Sequence, residues 1–299
     1  MFAIGKRIFL FLLTNLLIIA TLSILLNLIC AALGINPNQY YSYMLIYSVL
    51  FGFGGAFISL FMSKWMAKRM MGLQIIDPRT NDPMLRDLVL RVHSLAQAAR
   101  LPKMPEVAIY DSPDVNAFAT GPSKRNSLVA VSTGLLRKMN REEVEGVLAH
   151  EVAHIANGDM VTMTLVQGVI NSLVIFLARI IANLVVSQLR SNDDQPNPFL
   201  YMGIVFVLEI VLSLFGMIVV TYFSRAREFR ADSGGARLAG KDKMIAALRS
   251  LQTAIARPNP DEEAIATLKI SGRRKGTLAA LFSTHPSLDD RIRRLETSR

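Results

Sequence analysis

The sequence has 299 residues, of which 52% are hydrophobic and 19% are charged, and its formal net charge is +10. The hydrophobic fraction exceeds that of an ordinary soluble enzyme, while the charged fraction excludes a chain that lies wholly within a bilayer. Excess Lys and Arg is typical of nucleic-acid-binding proteins, of membrane-facing surfaces and of topology-setting loops, so the positions of the charges decide among these classes.

Four segments have the roughly 20 largely apolar residues that a transmembrane helix needs. Basic residues precede the first segment and follow the second and fourth, whereas the linker after the first has no charge and the linker after the third has more Asp than Arg. The positive-inside rule therefore places both termini and the polar segments in the cytoplasm. The basic charge thus indicates membrane topology and not nucleic-acid binding. The predicted spans are 8–33, 41–63, 160–189 and 199–223.

The first apolar segment could instead be a cleaved signal peptide, because Lys6 and Arg7 precede it. Its apolar run is longer than the roughly 7–15 residues of a signal-peptide core, and a second apolar segment follows closely. We therefore predict a retained membrane helix. The single cysteine, Cys30, lies within that segment, so no disulfide framework is available.

The polar parts of the chain predict a mainly helical cytoplasmic domain with a small β-sheet. Asp82 and Pro83 mark the start of a helix whose apolar residues recur at helical spacing. Three short β-type runs follow, EVAIYD, NAFATG and SLVAVS, separated by turn-like segments. The predicted fold is thus an α-helical membrane protein with four transmembrane helices, two in 1–63 and a hairpin of two in 159–223. The predicted cytoplasmic domain is formed by 64–158 and 224–299.

The segment MNREEVEGVLAHEVAHIANGD predicts a helix that carries a possible metal site. Asn140 and Glu143 suit a capping box at its start, Gly158 suits a left-handed end, and Asp159 can then cap the next helix. His150 and His154 are four residues apart, so both imidazoles can bind one metal ion from the same helical face. In this H-E-x-x-H pattern two His bind zinc and the Glu is the general base. The alternative is two surface histidines on an amphipathic helix.

A hydrolytic zinc site needs a third protein ligand, and the segment SRAREFRAD offers two carboxylates on one helical face. Glu228 could complete a site with two His and one Glu, while Asp232 could hydrogen-bond a ligand imidazole. The spacing alone leaves open that both carboxylates only pair with the Arg residues of their own segment.

HEVAH followed by SRAREFRAD, together with NAFATG and STHPSLDDRI, resembles the HtpX-type membrane metalloproteases, which are related to the CAAX prenyl proteases. The resemblance covers essentially the whole chain and implies a zincin-like catalytic domain. It implies one zinc ion bound by His150, His154 and Glu228, with Glu151 as catalytic base. NAFATG resembles the edge strand on which such proteases bind an extended substrate, although it could be a plain core strand. The implied supporting residues are Asp232, His285 and Arg291, and the implied substrate-strand residues are Asn116, Ala117 and Phe118.

The resemblance also implies a stress-response endopeptidase of the bacterial inner membrane. Its expected substrates are misfolded or damaged membrane proteins and unfolded polypeptides, cleaved from the cytoplasmic side at the lipid bilayer. An intramembrane protease is disfavoured by the polar flanks NREEVEG and NGD, which are costly in hydrocarbon. A non-catalytic zinc-containing membrane chaperone is disfavoured by Glu151, since a structural site needs no base. No nucleic-acid partner is expected, and the sequence does not determine the oligomeric state.

The third and fourth apolar segments each hold one ionisable residue at depth, Arg179 and Glu209. Arg179 lies 11 positions before Arg190 and Glu209 lies 11 positions after Pro198, at the two ends of the connecting linker. In an antiparallel hairpin both would lie about 16 Å from the turn at 1.5 Å per residue. We therefore predict an Arg179–Glu209 ion pair, because ionisable groups at such depth pair or face protein or water.

Overall fold

The computed structural model describes residues 20–34, 40–189, 197–256 and 285–298. These residues divide into two compact units. The apolar unit takes the described residues of Met1–Ser59 and Thr164–Val220, and the polar unit takes those of Leu60–Met163 and Thr221–Arg299. Long helices contribute residues to both units, because no Pro or capping Gly interrupts the chain at residues 60, 163 and 221, where the units meet along the sequence.

The apolar unit is built from helices whose side chains are mostly apolar and exposed. Helices α2, α6 and α7 are long and apolar enough to cross a membrane. Large apolar side chains such as Phe206 and Phe215 are exposed, which suits a lipid-facing surface. The first predicted span lies partly outside the described residues, and its described part is the shorter apolar helix α1, so a fourth span stays a prediction. The bounds are α1 Ala20–Ala32, α2 Tyr40–Met70, α6 Asp159–Leu189 and α7 Pro198–Ala239.

Two of these helices extend well beyond the predicted spans. Helix α2 continues past Ser63 to Met70, and α7 continues through SRAREFRAD to Ala239. The polar continuation of α7 is rich in Arg and Ala, which are strong helix formers. The predicted boundaries at 63 and 223 therefore mark changes of polarity within continuous helices and not the ends of helices.

The predicted ion pair between Arg179 of α6 and Glu209 of α7 is confirmed. Arg179 Nη1 donates to Glu209 Oε1 over 2.7 Å. The same guanidinium donates to the hydroxyl of Tyr47 and lies 4.7 Å from the centroid of that ring. Every partner belongs to the apolar unit, so the pair and the cation–π contact together join α2, α6 and α7.

The polar unit contains a small mixed sheet, as the sequence predicts. Its order is β1-β2-β4-β3, with β2 and β4 parallel and the other two pairs antiparallel. Strand β4 is central and almost wholly buried, which explains its run of β-branched and small apolar residues. Strand β3 is an edge strand of the described sheet. The bounds are β1 Gln74–Ile75, β2 Glu106–Tyr110, β3 Ala117–Ser123 and β4 Asn126–Ser132.

Helices cover this sheet and enclose the helix that carries HEVAH. Apolar side chains of α3, β4 and α5 form one buried core that includes Val92, Val129, Leu148 and Val152. Helix α8 packs against α5, and α9 packs against α8 through Leu248. Because α5 is enclosed, the side chains on its one open face are fixed in position. The bounds are α3 Pro83–Ala98, α4 Thr133–Lys138, α5 Arg141–Asn157, α8 Lys241–Ala256 and α9 Leu288–Thr297.

We expect the ion pair of the apolar unit to show energetic coupling. Arg179→Leu and Glu209→Leu should each lower the unfolding free energy in detergent, because either change leaves an uncompensated charge. The double variant should recover part of the loss, with a coupling of about 0.5–3 kcal/mol. A double-mutant cycle on unfolding in detergent measures this coupling. Purely additive losses would contradict the pairing.

Candidate metal centre

Helix α5 holds the HEVAH residues between two well-formed ends. The side chain of Asn140 accepts hydrogen bonds from the backbone N–H groups of Glu142 and Glu143, and Glu143 accepts from the Asn140 N–H. At the other end, Gly158 adopts a left-handed conformation with φ of 72°, which suits glycine because it has no Cβ. The predicted capping box and the predicted helix end are both confirmed, and together they fix the face on which the histidines lie.

The three predicted ligands converge at one point. The Nε2 atoms of His150 and His154 are 3.1 Å apart. Glu228 of α7 places Oε2 3.6 Å from His150 Nε2 and Oε1 3.5 Å from His154 Nε2. A tetrahedral ion with bonds of about 2.0–2.1 Å separates its ligand atoms by about 3.4 Å. The observed separations and the donor set of two imidazoles and one carboxylate therefore fit a zinc-type ion.

A pair of glycines lets α7 lie close against α5 at this point. A Cβ built on Gly235 would lie 3.1 Å from the backbone nitrogen of His150, and one on Gly234 would lie 2.8 Å from the Cβ of Ala153. Larger residues would push the two helices apart. These glycines lie less than two turns beyond Glu228, so they set the distance between that carboxylate and the imidazoles. Their role in helix packing was not predicted from the sequence.

Asp232 contacts His150 as the sequence predicts, and its own partner comes from the last helix. Asp232 Oδ1 accepts from His150 Nδ1 over 2.9 Å. Arg291 of α9 donates to both carboxylate oxygens of Asp232, over 2.6 and 2.8 Å. All three side chains are buried. The alternative in which Asp232 pairs with the Arg residues of its own segment is therefore wrong; its ionic partner lies 59 residues later in the chain.

His154 has its own carboxylate partner, Asp159. From the sequence, Asp159 was predicted only as a cap of the next helix. Asp159 Oδ2 accepts from His154 Nδ1 over 2.7 Å, and the residue is only 1% exposed. Asp159 is the first residue of α6, directly after the left-handed Gly158. Helix-capping chemistry explained an Asp at this position and so hid its second contact. The spacing of five residues after His154 was the signal that could have revealed it.

The pKa shifts of the site residues follow from these contacts. Burial lowers the pKa of His150, but contacts with Asp232 and Glu228 outweigh this and raise that pKa to about 9. Burial raises the pKa of Glu228, but contacts with His150 and His285 outweigh it and hold that pKa well below its ordinary range. The pKa of Asp232 is lowered too, because hydrogen bonds from Arg291 and His150 outweigh burial. Both carboxylates thus stay ionised, as a site for a cation requires.

A cleft of about 400 Å³ opens beside these residues. Glu151 lines it next to His150, and the predicted substrate-strand residues line another wall. Ala117 and Phe118 belong to β3, while Asn116 directly precedes that strand. His285 lies at the same cleft with 61% of its side chain exposed and its Nδ1 3.1 Å from Glu228 Oε2. The structure therefore brings every predicted site residue to one cleft or to the layer directly beneath it.

The sequence is similar to those of known proteases. Residues 84–299 match the sequence profile of peptidase family M48. A protein named "Protease HtpX homolog" from Bacillus pumilus is 54% identical, with 98% of this chain and 99% of the relative covered. The HtpX homologue of Bacillus subtilis is 51% identical and protease HtpX of Shewanella oneidensis is 50% identical, with the same coverage.

The fold resembles that of one solved structure. The crystal structure of S. mikatae Ste24p superposes with a TM-score of 0.62 at 18% identity. The alignment covers 93% of this chain but 62% of the Ste24p chain, so this chain spans less than two thirds of that protein's length. The metal-ligand geometry, the helices of membrane-crossing length and the close match to the HtpX proteases agree: the chain belongs to peptidase family M48 and is a membrane-bound metalloprotease.

Proposed function

We propose that the chain is a zinc-dependent endopeptidase that cleaves misfolded or damaged membrane proteins, and unfolded polypeptides, from the cytoplasmic side of the bacterial inner membrane. The observation that carries the proposal is the meeting of His150, His154 and Glu228 beside Glu151. Helix α7 bears both a long apolar stretch and Glu228, which supports a site close to the bilayer surface.

His150, His154 and Glu228 would hold the zinc ion. When bound, zinc supplies Lewis-acid polarisation of the scissile carbonyl and of the attacking water. Glu151 accepts a proton from that water as its oxygen adds to the carbonyl carbon. The same carboxyl then delivers the proton to the amine nitrogen as the C–N bond breaks, so the carboxylate is regenerated.

Asp232 and Asp159 orient the two imidazoles through their Nδ1 atoms, which leaves each Nε2 directed at the metal position. Arg291 acts through Asp232 and is a positioning residue. His285, at the mouth of the cleft, is placed to donate a hydrogen bond to the carbonyl oxygen as that oxygen gains negative charge. Each role follows from what the side chain contacts.

The edge strand suits an extended polypeptide substrate. Strand β3 pairs with β4 alone in the described sheet and lines the cleft beside Glu151. A substrate segment could add to β3 through main-chain hydrogen bonds, which do not depend on side-chain identity. Such binding needs an unfolded or exposed segment and therefore favours damaged proteins over compact ones.

The basic residues at the helix ends support the proposed orientation. Lys68 and Arg69 lie in the last turn of α2, and the polar half of α7 contains Arg227 and Arg230. By the positive-inside rule we place these helix ends, the site and both termini in the cytoplasm. The four spans then lie in 1–63 and 159–223. The catalytic domain is formed by 64–158 and 224–299. The polar flanks of the HEVAH segment, NREEVEG and NGD, argue against a site within the bilayer.

Replacement of the proposed base should separate catalysis from metal binding. Glu151→Gln keeps the shape of the side chain but cannot accept the proton, so cleavage of an unfolded protein such as casein should fall by about 10²–10⁴-fold. The zinc content should stay that of the unmodified chain. Turnover close to that of the unmodified chain would show that Glu151 is not the base.

Replacement of the proposed third ligand should remove the metal. Glu228→Ala should lose both zinc and activity, because two imidazoles alone bind the ion weakly. Asp232→Ala should lose about 10–100-fold in zinc affinity or activity, as is typical of residues that orient a ligand. Zinc content measured after purification tests both, and stoichiometric zinc in Glu228→Ala would assign the third ligand to another residue.

Asp159 should also tune metal affinity. Asp159→Ala removes the acceptor of His154 Nδ1 and should weaken zinc binding by about 10–100-fold in competition with a chelator. Asp159→Asn is the matched variant, because Asn suits a helix start and still offers an oxygen acceptor, so it should lose less. If both variants bind zinc as the unmodified chain does but unfold at a lower temperature without metal, Asp159 serves the helix start alone.

A further inference from the structure

Two neighbouring cations occupy the turn that joins the edge strand to the centre of the sheet. Lys124 and Arg125 connect β3 to β4, and both side chains are exposed. Neither has a hydrogen bond or an ion pair within the part of the chain that the structure describes. By contrast, Lys64 and Lys68, also in the polar unit, both bind Glu106. The turn therefore presents two uncompensated positive charges side by side.

This turn is held on both sides by residues at the ends of long apolar helices. Lys64 of α2 donates to Asn126 Oδ1 over 2.8 Å, directly after the two cations. On the other side, a Cβ built on Gly158 would lie 3.3 Å from Lys124 Cε, so the hydrocarbon stem of Lys124 lies against the residue that precedes α6. Both anchoring points belong to the polar unit, and the turn lies between them.

The residues around the first anchor have the character of a membrane–water interface. Trp65, the one tryptophan of the sequence, follows Lys64 and is 54% exposed. Lys68 and Arg69 complete the last turn of the same helix. Tryptophan and basic residues concentrate at the headgroup level of membrane helices. Since Lys64 donates to Asn126, the turn lies beside this stretch of α2.

We propose that the Lys124–Arg125 turn docks on the anionic headgroups of phospholipids. Phosphate-bearing headgroups match two adjacent exposed cations in charge, and the depth of the turn is set by the contacts of Asn126 and Gly158. Docking would hold β3, the strand that continues from the turn into the cleft, at a fixed height above the lipid surface. The inference concerns lipid binding and does not depend on the protease chemistry.

The test uses the full chain in nanodiscs of phosphatidylcholine alone or of phosphatidylcholine mixed with phosphatidylglycerol. Amide hydrogen exchange of residues 117–132 should be slower in the anionic nanodiscs. A basic residue close to an anionic surface adds about 1 kcal/mol, so two residues allow at most about a 30-fold difference between the lipids. The difference should shrink in high salt, because the Debye length falls from about 10 Å at 0.1 M to about 3 Å at 1 M.

Three variants make the experiment specific. Lys124→Ala with Arg125→Ala should abolish the lipid dependence, while Lys124→Arg with Arg125→Lys should keep it. The matched control is Arg137→Ala with Lys138→Ala, an exposed basic pair at the end of α4. That pair follows the far end of the seven-residue strand β4, about 20 Å along the strand from the turn. The control should retain the full lipid dependence at 117–132.

Two outcomes would overturn the proposal. Equal exchange in both nanodiscs would show that the turn is simply hydrated. Exchange that slows when acidic casein is added, but not with phosphatidylglycerol, would assign the turn to polypeptide binding instead. Neither outcome bears on the metal site, since zinc content and casein cleavage are measured separately on the same samples.

Discussion

The centre of the polar unit depends on the burial of three carboxylates around two imidazoles. Glu228 and Asp232 are each 2% exposed and Asp159 is 1% exposed. A buried carboxylate costs several kcal/mol unless charges and hydrogen bonds compensate it. Here the compensation comes from His150, His154 and Arg291, so six groups on four helices contribute to it. Asp232 contacts both His150 and Arg291, so the loss of one group changes the surroundings of its neighbours as well.

Two of the helices with long apolar stretches, α6 and α7, also carry residues of the site. Helix α7 is one uninterrupted element of 42 residues, with its apolar half first and Glu228 and Asp232 in its polar half. Helix α6 begins at the carboxylate that orients His154, one residue after α5 ends. The positions of Glu228 and Asp232 along α7 are thus set by backbone hydrogen bonds that continue along that helix.

Sequence patterns predicted the residues whose chemistry is local. The HEVAH helix with its caps and the small sheet were accessible because each has a short-range signature of spacing or composition, whereas the third carboxylate was assigned through the family resemblance. The Arg179–Glu209 pair was predictable because the two residues lie equally far along the sequence from the linker that joins their apolar segments. The partner of Asp232 lies 59 residues away and the role of Gly235 depends on the approach of another helix, so neither leaves a local trace. Asp159 was hidden because its position also suits a helix cap. The predicted span bounds at 63 and 223 fall inside α2 and α7 because polarity changes there while helicity does not.

The position of Arg291 in the chain sets the order in which the site can form. Every other residue of the site precedes it, and it enters from α9 to neutralise Asp232. A growing chain that already carries both histidines and Glu228 therefore still lacks the guanidinium that donates to both oxygens of Asp232. Helix α9 must be synthesised before Asp232 gains this buried ionic partner. The described arrangement of the site is thus complete only after every earlier segment of the chain has been made.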